Sequence, residues 1–264
     1  NISGVRECIG EVLTPWAHSI AAISFFSRLH LGQSDWIPSH LPVFQRNRHI
    51  VRDLQCTDDF LWYDYAHKVR KNVKRAEREG VTCTTEPDAK SVNDFARILA
   101  RTLERRGLDN QSEAFLLTKY SRLMESMPES IRLFTAHLDG RAVSSELALI
   151  SETTIYSYLG GTDEDAFAAR PNDFLKHQIC LWGQANGKTQ YVLGGGRSPG
   201  DGIYRYKESF APNGAVPYYV VAAIIDETQY TRFSKLNDIA IENDGFSPTD
   251  HFPAYRSSDV QDQG

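Results

Sequence analysis

The chain has 264 residues, 41% of them hydrophobic, 11% aromatic and 24% charged, with a formal net charge of −5. These totals exclude a disordered or fibrous chain and fit a soluble globular protein of one large domain, or a domain with a partial companion. The acidic balance also excludes a surface built as a whole to coat nucleic acid, so a polyanion must meet a local basic patch.

Residues 1–57 are weakly patterned: Pro15, Pro38 and Pro42 interrupt any long element, and only His49 to Leu54 reads as a short strand. From Asp58 to Glu79 the residues Ala66, Val69, Val73 and Ala76 recur at helical spacing, and Gly80 stands at the stop position. Lys71, Lys74, Arg75 and Arg78 share the opposite face, with Lys68 and Arg70 beside it. Such a face is either simply solvated or a surface that tracks phosphates. After a strand near Val81 to Thr85, Ser91 and Asp94 have the spacing of a capping box. Val92, Phe95, Leu99 and Leu103 then line one helical face up to Gly107.

A further helix is predicted over Glu113 to Met127, followed by a hairpin of Ile131–Leu138, the Asp139-Gly140 turn and Ala142–Ile150. The next strand, Thr154 to Leu159, is predicted to end at Gly160-Gly161. Asn172 to Asn186 reads as a helix with Leu175, Ile179 and Trp182 on one face. Strand Gln190–Leu193 enters a run of three glycines, and a short helix carries Tyr204-Arg205-Tyr206-Lys207. Pro217 to Ile225 is a nearly continuous apolar run, the pattern of a buried strand, and Phe252-Pro253-Ala254-Tyr255 is placed to pin an otherwise polar tail. The order is that of an α+β plan with one mixed central sheet flanked by helices.

The four cysteines are scattered without a CxxC pair, which argues against zinc and against a secreted disulfide scaffold and fits a reducing cytoplasm. The longest wholly apolar run is too short to span a bilayer. Gly195 to Gly200 has the spacing of a phosphate loop, but Asp201 stands where the lysine must be. Pro199 follows Gly194 and Gly196 in place of a dinucleotide fingerprint, and HExxH and GxSxG are absent. His137 and His177 read as structural histidines.

Two features remain. Lys207 lies among aromatic rings just beyond the glycine run, either as a surface lysine or as a cation for a phosphate, a carboxylate or a carbonyl oxygen gaining charge. Arg170-Pro171-Asn172-Asp173 opens a helix whose free N–H groups suit a phosphate-bearing ligand, although Pro171 and Asp173 also serve merely to start a helix.

Arg70-Lys71-Asn72-Val73-Lys74-Arg75-Ala76, Arg105-Arg106-Gly107-Leu108, the strand exit from Tyr156 to Gly161, Arg170-Pro171-Asn172 and Tyr204-Arg205-Tyr206-Lys207 follow one another in a familiar order. In that order the chain resembles the Fem aminoacyltransferase family, within the GNAT acyltransferase superfamily. The resemblance implies a GNAT-like fold over residues 58–232, preceded by a truncated N-terminal lobe at 1–57 and followed by a tail at 233–264 that packs back. It implies transfer of an amino acid from aminoacyl-tRNA to the amine of a peptide, by direct attack, with no cofactor, no DNA partner and a cytoplasmic location. By position, Lys207 and Tyr206 would face the reacting ester; no base is obvious from the residues, and Glu146, Asp163, Glu208 or a group of the acceptor or tRNA are the candidates. Tyr158, Gly160, Gly161, Arg170, Asn172 and Arg205 would hold the donor, and Arg106 and Tyr156 the acceptor. Arg70, Lys71, Lys74, Arg75 and Arg78 would meet tRNA.

The acetyl-CoA loop of GNAT enzymes is absent between Gly161 and Asn172, and the two-helix arm of some Fem members is missing. An acyl-CoA-dependent N-acyltransferase and a non-catalytic module for an acidic partner are the two alternative readings.

Overall fold

The computed structural model describes residues 2–29, 31, 37–38, 40–85, 88–107, 111–196, 198, 200–236 and 252–256. The chain divides into two compact units, one of His49–Ala215 and one of Asn1–Arg48 with Val216–Gly264. In chain order the elements are α1 (Ile2–Ser19), β1 (Ser24–Arg28), β2 (Val43–Asp53), α2 (Asp58–Asp64), α3 (His67–Arg78) and β3 (Thr82–Thr84). There follow α4 (Ala89–Arg105), α5 (Glu113–Ser126), β4 (Ile131–Leu138), β5 (Arg141–Ile150), β6 (Thr154–Thr162) and a 3₁₀ turn (Glu164–Ala169). The remainder is α6 (Pro171–Ala185), β7 (Gln190–Gly194), α7 (Gly202–Glu208), β8 (Ala215–Ile224), α8 (Glu227–Leu236) and a last 3₁₀ turn (Ala254–Arg256).

In the larger unit the strands lie in the order β2-β7-β6-β5-β4-β3. Only β6 and β7 run parallel; the other pairs are antiparallel. The β4–β5 hairpin turns on Asp139 and Gly140, both at positive φ (52° and 74°), as a two-residue turn matched to the sheet's twist requires. Alternation along the strands sends side chains to opposite faces. Phe134, Ala136 and Ala148 go to a core with Val69, Val73, Leu175 and Ile179, under α3 and α6. Leu133 and Leu147 go to a second core with Phe95, Leu99, Leu116 and Tyr120, under α4 and α5.

Three local expectations are corrected in this unit. The helix expected from Asp58 to Glu79 is broken at Tyr65-Ala66, where the Arg70 guanidinium binds the carbonyls of Tyr63 and Tyr65 and the Ala66 N–H donates to Ser209. Those side-chain and loop partners satisfy helix-end groups that would otherwise continue the helix. The cap of α4 is Asp88, whose carboxylate accepts the Ser91 N–H at 2.6 Å, so Ser91 is one turn inside. Strand β6 runs through both glycines to Thr162, paired across them as Gly160↔Glu146 and Gly161↔Ser145.

The smaller unit also departs from the sequence reading, in which prolines break every long element. Helix α1 has 18 residues with Pro15 inside it. A mid-helix proline costs about 3 kcal/mol. Ala17, buried, and Leu13, packed on Leu29, Ile37, Leu41 and Val221, hold the helix against that cost. Strands β1 and β8 pair antiparallel from Ser24↔Ile224 to Arg28↔Val220. The expected pin at Phe252 is present: its ring lies 6.0 Å from Phe26 and 5.8 Å from Tyr230.

Candidate active site where two parallel strands part

Strands β6 and β7 pair over only three positions, Thr154↔Gln190, Ile155↔Tyr191 and Tyr156↔Val192. Beyond them β6 stays with β5 to Thr162, while β7 ends at Gly194, so the two strands part from Ser157 onward. A bulge falls at the same place, since Ala148 faces Ser157 and Leu147 faces Leu159, leaving Tyr158 between them and about half exposed. Tyr156, partly buried, is the last β6 residue to pair with β7.

Helix α7 sets Lys207 and Tyr206. Asp201 caps it by accepting the Tyr204 N–H at 2.7 Å, and Tyr204 is buried beneath. Lys207 is partly buried, and its ammonium donates to the Gly195 carbonyl at 2.7 Å. Gly194 has φ +81°, and a Cβ there would lie 3.3 Å from that nitrogen, so backbone strain and crowding both favour glycine. Burial pushes the Lys207 pKa down to about 8; Lys176 and Arg106 push the same way, against Glu146 and Asp201. The Tyr206 hydroxyl accepts from Asn172 Nδ2 at 2.8 Å. Burial, then the charges of Asp173 and Glu146, hold its pKa well above the usual value. It is therefore a neutral phenol at physiological pH, with its own O–H to give.

The start of α6 supplies Asn172. Arg170, at left-handed φ 59° and ψ 38°, precedes Pro171 at the first turn, makes no side-chain cap and is exposed. Asp173 is buried and accepts from Asn72 of α3 at 3.1 Å, so it joins two helices; burial raises its pKa. One turn further along, Lys176 enters the sheet. Its ammonium binds Glu146 Oε2, Ser157 Oγ at 3.1 Å and the Tyr191 hydroxyl at 3.0 Å, and Tyr191 in turn donates to Glu146 Oε1. Lys176, Glu146 and Tyr191 are all buried.

The structure thus joins Tyr206 to Asn172, seats Lys207 on the Gly195 carbonyl and engages Glu146 with Lys176 and Tyr191, while Arg106 caps the C-terminus of α4. Gly160 and Gly161 stand on the same strand, but their bare α-carbons have a packing cause. A Cβ on Gly161 would meet Thr102 Oγ1 at 2.3 Å and the Ile98 carbonyl at 3.0 Å; one on Gly160 would meet the Ser145 carbonyl at 2.9 Å. Arg205 points outward. The basic residues lie elsewhere, on the outer face of α3. There Lys71 and Arg78 are exposed, Arg75 pairs with Glu79 at 3.6 Å, and the Lys74 ammonium stands 5.6 Å from the Trp62 ring. Arg70 is drawn away from that group by its bonds to Tyr63 and Tyr65. Asp163 is held in ion pairs by Arg97 (2.7 Å), Arg141 (3.1 Å) and Arg101 (3.5 Å).

Sequence reasoning missed Lys176, Ser157 and Tyr191. The available signal was Glu146, the one acidic residue of a strand that is otherwise mostly apolar or hydroxyl-bearing, a carboxylate that needs a buried cation. His177 lies on the α3 side, where burial lowers its pKa to about 4, and its Nδ1 is 3.3 Å from the Tyr65 hydroxyl, in keeping with a structural role. Among the described residues no cluster suits a metal ion, and no helix is long and apolar enough to cross a membrane.

Residues 64–208 match the family model described as an acetyltransferase (GNAT) domain. The UDP-N-acetylmuramoylpentapeptide-lysine N(6)-alanyltransferase of Weissella viridescens is 23% identical over 176 residues, which are 65% of this chain and 51% of that one. The chain therefore spans about half the length of that curated relative. The crystal structure of FemX superposes with a TM-score of 0.59 at 15% identity, over 83% of this chain and 70% of that one. The C-terminal domain (DUF2156) of a putative lysylphosphatidylglycerol synthetase from Agrobacterium fabrum gives 0.51 at 14% identity, over 69% and 61%. The α+β, GNAT-like fold and the resemblance read from the sequence are borne out by these likenesses.

Proposed function

This chain belongs to the acetyltransferase (GNAT) domain family, and from that premise we propose that it moves an amino acid from an aminoacyl-tRNA to the amine of a peptide. The acceptor in this reading is a peptidoglycan precursor or a peptide natural product. The Weissella relative, named for alanyl transfer to a lysine of a muramoyl pentapeptide, supports that class of acceptor. The observation that carries the reading is the partly buried Lys207 ammonium, held on the Gly195 carbonyl just past the end of β7, beyond the point where β6 and β7 part.

An aminoacyl ester is already activated, so the protein has to align it and stabilise the charge that develops. The acceptor nitrogen attacks the ester carbonyl, the new C–N bond forms, and the bond to the ribose oxygen breaks. Lys207 and the Tyr206 O–H face the carbonyl oxygen as it gains charge. The proton lost by the amine goes to the departing ribose oxygen; Glu146, the base read from the sequence, has both carboxylate oxygens engaged by Lys176 and Tyr191. Tyr158, Gly160, Gly161, Asn172, Arg170 and Arg205 line the donor side, and Tyr156 and Arg106 the acceptor side. Lys71, Lys74, Arg75 and Arg78 offer exposed charge to the tRNA backbone. A charged tRNA as donor places the reaction in the cytoplasm.

A second reading, an acyl-CoA-dependent N-acyltransferase, is favoured by the description of the family itself. Against it, the acetyl-CoA loop of GNAT enzymes is absent between Gly161 and Asn172. Mass spectrometry of peptide amines incubated with the chain and pooled charged tRNAs, and separately with acyl-CoAs, decides between them. The expected product gains one aminoacyl residue with tRNA alone; acylation by CoA donors alone overturns the proposal.

A further inference from the structure

Glu146 is a buried carboxylate that, among the described residues, makes no ion pair with Lys207; its two oxygens are taken by Lys176 and Tyr191. The Lys176 ammonium also donates to Ser157 and Tyr191, so all three of its donors are used inside the protein. Among the described residues, the bonded partner of Lys207 is the neutral Gly195 carbonyl. Two lysines and one carboxylate thus stand at the parting strands, and the deeper lysine has the carboxylate.

We propose that Lys176 is a positioning residue: by engaging Glu146, together with Ser157 and Tyr191, it leaves the Lys207 ammonium without a carboxylate partner and so available to substrate. The inference rests on the reading of Lys207 as the cation of the transfer site. Among the described residues, the charged groups that bear most on Lys207 are Lys176 from α6, Glu146 from β5, Asp201 at the start of α7 and Arg106 at the end of α4. The Asp201 carboxylate accepts from the Tyr204 and Ser198 N–H groups, at 2.7 and 3.1 Å. Arg106 is exposed, where solvent screens it. Glu146 and Lys176 are buried, and an unshielded charge there acts at full strength on its neighbours.

The test reads Lys207 directly. The full chain is labelled with acetic anhydride across a pH series, and the Lys207 peptide is quantified by mass spectrometry, in wild type, Lys176→Met, Glu146→Gln and the double variant. Removing Lys176 frees the Glu146 charge to pair with Lys207, and the labelling midpoint rises by about one pH unit. Removing Glu146 leaves two cations together, and the midpoint falls by a similar amount. The double variant returns towards wild type. If Lys176→Met does not fold, Glu146→Gln and the double variant still differ only in the Lys176 charge, and the double variant must titrate at the higher pH. Coincident midpoints overturn the inference. Aminoacyl transfer is measured separately on wild type: absence of transfer with the midpoint pattern intact counts against the proposed function alone.

Discussion

The two faces of the larger unit's sheet differ in what they bury. Under α4 and α5 the core is made of Val92, Phe95, Leu99, Leu116, Leu133 and Leu147, and the buried carboxylate at its border, Asp163, is met by three arginines that reach it from the surface side. On the side of α3 and α6, strand alternation buries Glu146 of β5, and α6 buries Asp173, Lys176 and His177, alongside a core that includes Phe134, Ala148, Leu175 and Ile179. An apolar core stabilises in proportion to the area it removes from water, about 25 cal/mol per Å². A buried ion pair roughly breaks even against apolar residues of the same size. The second face therefore yields stability for buried charges, among them Glu146 and Lys176 near the parting strands.

The largest expected effect breaks the comparison from the apolar side. Phe95→Ala in α4 should cost about 3–5 kcal/mol in equilibrium denaturant unfolding, with the Lys207 labelling midpoint unmoved. An equally large loss accompanied by a shifted midpoint would mean that the two faces are not separate. Next in size is an acid effect on the charged side. His177 is neutral when folded, with a pKa of about 4 against an ordinary 6.5, so the unfolded chain binds the extra proton first. Stability from this group is complete above pH 6.5 and is lost as pH falls towards 4, by roughly 3 kcal/mol. His177→Gln should flatten that part of the pH–stability curve; an unchanged slope would assign the acid sensitivity to other groups.

How much of this contrast was legible in the sequence depended on the face. The stripe of Val92, Phe95, Leu99 and Leu103, and the Asp139-Gly140 hairpin, announce themselves because local spacing and turn chemistry agree with the final packing. Pro15 misled because a helix can absorb one proline when its apolar side is packed. Lys176 was hidden for another reason: beside Leu175 and Ile179 it reads as the polar edge of an amphipathic helix, and only the strand partners Glu146, Ser157 and Tyr191 reveal that it points inward. Lys207, Tyr206 and Asn172 were legible individually, but their convergence depends on α7 folding back against the start of α6, which no local pattern encodes.

Two smaller effects sharpen the comparison. Gly161→Ala places a Cβ against Thr102 and the Ile98 carbonyl, in the packed interface of β6 with α4. It should destabilise by about 1–3 kcal/mol in thermal unfolding, and a neutral result would show that α4 can retreat from β6. Reversing Arg75 and Arg78 to glutamate on the exposed face of α3 should change stability by less than about 0.5 kcal/mol. The same change should reduce the salt dependence of tRNA binding by roughly one unit of log–log slope for each phosphate that the helix no longer neutralises.

The central claim is that Lys207 supplies positive charge to the carbonyl oxygen of the ester during transfer. Single-turnover rates with a charged tRNA bound at saturation, compared for wild type and a folded Lys207→Ala variant, test it without interference from binding. The account predicts a fall of about 100-fold or more in the transfer step; equal rates in the two proteins would contradict it.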